Sequence, residues 1–182
     1  MSKIEVDAIE PQSGTTLTLG ASGDTVALSD NLLFNTASKG VYLGVTTPTA
    51  SNLLDDYEEG TWTPTLENGG VSYTSQTGQY IKIGKLVYFQ GTIVLSSNNT
   101  ADTSSVRIGS LPFTVDTTNN SALFTMDASG STLFDNYHNV GGASFTSPNN
   151  INIGDTSNNT QIQYADLQSS GTMVFSGQYI AT

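Results

Sequence analysis

The chain has 182 residues, room for one domain of ordinary size plus an appendage, and a formal net charge of −11 from 16 acidic and 5 basic residues. Five cations are too few for a bare nucleic-acid binder, and the absence of Cys excludes disulfides and thiolate metal sites. Over two-fifths of the residues are Ser, Thr, Asn or Gly, which favour turns and strand faces over helices.

The opening Met-Ser-Lys-Ile-Glu-Val-Asp holds no apolar run of signal-peptide length, and no later stretch approaches membrane-spanning length. Synthesis in a cytoplasm without a cleaved secretory signal, and no membrane insertion, are the expectations. Residues 1–51 read as short extended pieces. Ile4/Val6, Leu17/Leu19, Val26/Leu28, Leu32/Phe34 and Val41/Leu43 each have the period-2 spacing of a half-buried strand, with Gly14, Gly20, Gly23, Gly40 and Gly44 as punctuation. So few apolar groups cannot offset the ordering entropy of about 50 residues. Three copies wound round one axis would each bury their apolar edge, so the segment is expected to be an intertwined trimeric stem that is floppy as a monomer.

More than half of the acidic residues lie in the first 60 positions, ending in Asp55-Asp56-Tyr57-Glu58-Glu59. Residues 52–60 therefore form an acidic neck. Ser51 or Asn52 could cap a short helical turn with acids in its first turn. The block lacks the spacing of a calcium loop, so a solvated charge cluster is expected rather than a metal site.

Residues 61–182 form the head. Strands are predicted at Thr61–Leu66, Val71–Thr74, Gln79–Ile83, Leu86–Leu95, Ser105–Ile108, Ala122–Asp127, Thr132–Phe134, Ala143–Phe145, Ile151–Ile153, Gln161–Tyr164 and Thr172–Ile180. In Leu86–Leu95, Val87, Phe89, Ile93 and Leu95 share one face, and Tyr88, Gln90 and Thr92 the other. Asn68-Gly69-Gly70 and Ser97-Asn98-Asn99 are the strongest candidates for hairpin turns. Many short strands with Gly/Asn turns define an all-β chain: an N-terminal extended β stem followed by a C-terminal β-sandwich, jelly-roll-like head.

Several segments resemble a module of tail-fibre-like proteins of marine and freshwater phages. They are Lys39-Gly40-Val41-Tyr42-Leu43-Gly44, then Leu54-Asp55-Asp56-Tyr57-Glu58-Glu59-Gly60-Thr61-Trp62-Thr63-Pro64, then Gly78-Gln79-Tyr80-Ile81-Lys82-Ile83-Gly84. Gly109-Ser110-Leu111-Pro112-Phe113 and the ending Phe175-Ser176-Gly177-Gln178-Tyr179-Ile180 are similar too. The resemblance implies a homotrimeric fibre on a virion, attached to another tail or capsid protein by its N-terminus. The C-terminal head would then face the host-cell polysaccharide or protein. Ile4, Val6 and Ile9 are the candidate attachment residues. A head decoration fibre or adaptor with a mainly structural role is the alternative, and a carbohydrate-active depolymerase domain a minor one.

Residues that could carry chemistry are few. Trp62, the single Trp, is expected in the core beside the neck rather than stacked on a sugar. His138, the single His, cannot make a metal cluster alone. It sits in Asn136-Tyr137-His138-Asn139, an aromatic-bearing polar stretch taken as the candidate receptor-contacting loop. Carboxylates for glycoside cleavage exist, but their separation is not readable from sequence. Asn98, Asn119 and Asn158 head Asn-x-Ser/Thr triplets and are expected as turn residues. No phosphate-binding loop is present, so the expectation is a non-enzymatic protein without cofactor or metal.

Overall fold

Extended backbone dominates a computed structural model that describes residues 9–67, 70–118, 122–126, 132–134, 140–147, 149–155 and 160–182. Internal contacts divide the chain into one unit ending at Ala37 and a second, Ser38–Thr182. In the first, residues 9–37 form turns and extended pieces with no paired strand among them. One turn is closed by the Asp24 carboxylate, which accepts the Ala21 N–H at 2.7 Å. Leu17, Leu19, Val26, Leu28, Leu32, Leu33 and Phe34 are all exposed, Leu33 to 83%. This segment has no core of its own.

Among the described residues the second unit contains twelve strands. β1 (Val41–Tyr42) pairs with β2 (Leu53–Leu54) across a 3₁₀ turn at Ala50–Asn52. The larger sheet contains β3 (Tyr57–Trp62), β4 (Thr65–Leu66), β5 (Ser72–Ile83), β6 (Leu86–Ser97), β7 (Arg107–Gly109) and β8 (Ala122–Met126). It is completed by β9 (Val140–Ser147), β10 (Asn150–Asp155), β11 (Thr160–Gln161) and β12 (Gly171–Ile180). The strand order is β3-β5-β6-β12-β8-β9-β10-β7-β4, with β11 added beside β10 and every pair antiparallel. β3 and β4 stand at opposite ends of this path, yet only Thr63 and Pro64 separate them. Two linking residues span at most roughly 10 Å. The sheet must therefore curl until its ends meet, and its concave side becomes the core.

That core takes alternate residues of β6 and β12: Val87, Phe89, Ile93 and Leu95 with Met173, Phe175 and Tyr179. Ile108, Ile151 and Ile153 join from β7 and β10. The face predicted for Leu86–Leu95 is the buried one. Trp62 is 9% exposed, its ring 6.0 Å from Phe89 and 6.3 Å from Phe175, both edge-on. Its indole N–H donates to the Gln90 carbonyl at 3.3 Å, giving a buried polar atom its partner. Space for these rings is made by Gly78 and Gly91, which face each other across β5 and β6. A Cβ on Gly78 would lie 2.3 Å from Trp62 Nε1, and one on Gly91 2.6 Å from Phe175 Cζ.

Several local expectations are corrected. The predicted strands Val71–Thr74 and Gln79–Ile83 merge, from Ser72 onward, into the single strand β5, because Gly78 interrupts the apolar alternation without interrupting the ladder. Thr132–Phe134 is a loop, held to β12 by Thr132 N–H to the Thr172 carbonyl at 2.8 Å, with Leu133 and Phe134 still buried. Past Gln161 the chain turns into a 3₁₀ turn, Tyr164–Asp166, closed by Gln163 N–H donating to Asp166 at 2.9 Å. Tyr57-Glu58-Glu59 opens β3, so the acids of this block do not cap a helix, and the 3₁₀ turn beside it has none in its first turn. Ser97-Asn98-Asn99 is no hairpin turn. The Asn98 amide instead donates to the Tyr164 and Gln168 carbonyls at 3.0 and 3.4 Å. The tight hairpin is Gly84-Lys85 between β5 and β6, where Gly84 supplies the positive φ of 56°. Asn68-Gly69 lies outside the described residues.

Two outcomes test this packing. Gly78→Ala and Gly91→Ala should each lower unfolding free energy by about 1–3 kcal/mol through overpacking, read as a lower denaturant midpoint at unchanged slope. The buried Tyr179 hydroxyl accepts the Phe113 N–H at 3.1 Å and donates to the Phe113 carbonyl at 3.0 Å. Burial pushes its pKa up from 10.0 to about 12, the bonding to Phe113 opposing this in part. Burial raises Tyr164 as well. Below pH 10 both folded and unfolded chains keep these protons; above it the unfolded chain releases them first. Stability should thus hold to about pH 10 and then fall by roughly 1.4 kcal/mol per pH unit per tyrosine, and Tyr179→Phe should flatten the decline.

Candidate ligand-binding face

The outward side of β3, β5, β6, β12 and β8 is assembled by register. Successive residues of a strand alternate faces, and residues paired across strands form rows perpendicular to them. One row runs Thr61, Gln79, Gln90, Ser176, Thr125 without an apolar member. At about 4.8 Å between strands it is roughly 19 Å long. Neighbours along it are bonded: the Gln90 amide donates to Gln79 Oε1 at 2.9 Å, and the Thr125 and Ser176 hydroxyls lie 3.1 Å apart.

On one side lies Thr77, Thr92, Val174. On the other comes Glu59, Ile81, Tyr88, Gln178, and beyond it Tyr57, Ile83, Leu86, Ile180. Tyr57, Ile81, Ile83, Leu86, Tyr88 and Ile180 are exposed, so the polar row gives way through a mixed row to an apolar one.

Two grooves follow this relief. The larger, about 840 Å³, is lined by Thr61, Gln76, Gln79, Gln90, Thr92 and Ser176 among others, and reaches Trp62 and Phe175 past Gly78 and Gly91. The smaller, about 340 Å³, takes in Glu59, Tyr80, Ile81 and Tyr88. Thr61, Gln79, Tyr88 and Gln90 line both. Glu59 is the sole carboxylate among the described lining residues, and its oxygen accepts the Tyr57 hydroxyl at 3.1 Å. That bond raises the Tyr57 pKa. Among the described lining residues none is Lys or Arg. Lys82 is turned inward, paired with Asp56 and 5.3 Å from the centre of the Phe113 ring.

Among the residues singled out from sequence, Trp62 sits in the core. Ile9 is 59% exposed. Ile4, Val6, Asn136, Tyr137, His138 and Asn139 lie outside the described residues. Among the described residues no cluster of three or more His, Asp or Glu side chains could hold a metal ion. The polar row was not singled out beforehand. Its trace was the outward placement of Tyr88, Gln90 and Thr92, but the partners of Gln90 come from strands 11 and 86 residues away in sequence, Gln79 and Ser176.

No protein-family model matches this chain, and no curated protein matches it. Among solved structures the fold is similar to part of the crystal structure of the Dettilon tailspike protein, with a TM-score of 0.50 at 20% identity over 68% of this chain. The match takes in 24% of that protein, so this chain spans about a quarter of the tailspike's length. The likeness is one of fold: an all-β, antiparallel architecture shared with part of a phage tailspike.

Proposed function

We propose that this chain is a tail-associated attachment protein of a phage virion. It is a homotrimer whose N-terminal end docks on another virion protein and whose head binds glycan on the host surface. Residues 1–51 are the stem, 52–60 the neck and 61–182 a sandwich-like head. The observation that carries this reading is the polar row Thr61-Gln79-Gln90-Ser176-Thr125, a groove floor of hydroxyls and amides beside Tyr88. Such groups meet sugar hydroxyls with both donors and acceptors, and an aromatic ring meets their C–H faces. The tailspike-like fold supports a place on a phage tail. Binding is favoured over cleavage because glycoside hydrolysis generally uses two carboxyl groups flanking the bond, and Glu59 stands alone in the described lining.

Trimerisation is supported by the exposed apolar side chains of residues 17–34, which sister chains would cover. The exposed row Tyr57, Ile83, Leu86 and Ile180, beyond Tyr88, offers sister heads a second surface. Weak single sites repeated three times gain avidity.

Sedimentation of the full-length protein should give three chains per particle; a well-ordered single polypeptide would sink the trimer. Deleting the first 20 residues should leave the head folded and abolish incorporation into virions, and normal incorporation would overturn the attachment role. Free trimer should compete with phage adsorption, whereas undiminished adsorption at saturating protein would count against glycan or receptor binding.

A further inference from the structure

We infer that the ligand of this face is an electrically neutral, extended glycan lying along the polar row, across the strands. The inference rests on the glycan-binding reading and adds the chemical class and direction of the ligand. Direction follows from register. The row crosses five strands over roughly 19 Å; the two grooves share its first three members, Thr61, Gln79 and Gln90, and the larger continues along it to Ser176 and Thr125.

The class follows from what the lining holds. The single bond between the two glutamines leaves Gln79 with an amide NH₂ and Gln90 with a carbonyl oxygen that have no partner among the described residues. Exchanging the O and N of both amides leaves the same pair, one donor group and one acceptor. A sugar hydroxyl, itself donor and acceptor, satisfies either. Tyr88 and Ile81 flank the row on one side, giving apolar surface to C–H faces.

An anionic polymer would need cations to replace the water and counterions it loses, and among the lining residues none is basic. Glu59 stands one row away, and the net charge of −11 adds a repulsive field. Sulfated, uronic or phosphate-bearing chains therefore fit poorly, and uncharged hexose polymers fit.

The experiment uses full-length protein and host envelope polysaccharide split by anion exchange at pH 7 into an unretained, neutral fraction and a retained, acidic one. Retardation in gels containing each fraction is measured at 50 and 500 mM NaCl, with Gln79→Ala/Gln90→Ala beside the parent protein. Both side chains are exposed, so the double variant should keep its fold, checked by its unfolding midpoint. The expected result is binding to the neutral fraction, changed less than threefold by salt and weakened at least tenfold in the double variant.

Binding confined to the acidic fraction, lost in the double variant, would overturn the neutral class while leaving glycan binding at this face intact. Neutral binding that the double variant retains would overturn the row as the site. Binding to neither fraction, together with failure to compete for adsorption, would remove the glycan reading itself and this inference with it.

Discussion

Closure of the sheet depends on two rings having somewhere to go. Trp62 is the last residue of β3 and precedes the two-residue link that carries the chain to the far end of the strand order. Its indole rests against Phe89 and Phe175 because Gly78 and Gly91, paired across β5 and β6, leave room there. Side chains at those two positions would push the rings outward and with them the start of the link. The same glycines open the larger groove to the aromatic core beneath it. Core packing and surface relief thus have a shared origin.

The acidic block shows how one short segment serves different purposes by alternation. Asp56 pairs with Lys82, and Glu58 accepts the Tyr80 hydroxyl at 2.5 Å, both toward the side of β5 that carries Gly78. Glu59 projects to the opposite side, beside Ile81. Such pairs at a partly exposed edge contribute little stability individually. Their larger effect is on charge placement: Lys82 is occupied on the inner side, and the outer face keeps a carboxylate without a basic neighbour in the groove lining.

Strand-forming character was readable wherever one face packs continuously, as in β6 and β12, because the apolar period of two records burial directly. It was lost at Gly78, where the space that matters belongs to another residue's ring, and at Leu133-Phe134, where buried side chains sit on a loop. The polar row was less legible than the strands. Thr61, Gln79, Gln90, Ser176 and Thr125 span 115 positions of sequence, and only pairing brings them into line. Single-residue landmarks drew attention elsewhere: Trp62 is largely core, and the exposed polar row consists of common residue types.

β12 is central in the sheet but last in chain order, bonded on one side to β6 and on the other to β8. A nascent chain leaving the ribosome therefore displays the unpaired edges of both neighbours until nearly all of the remaining strands have been made. Such edges invite pairing between chains, and the long-range contacts that cover them form slowly. The interval before β12 arrives is when neighbouring polypeptides can exchange strands by mistake.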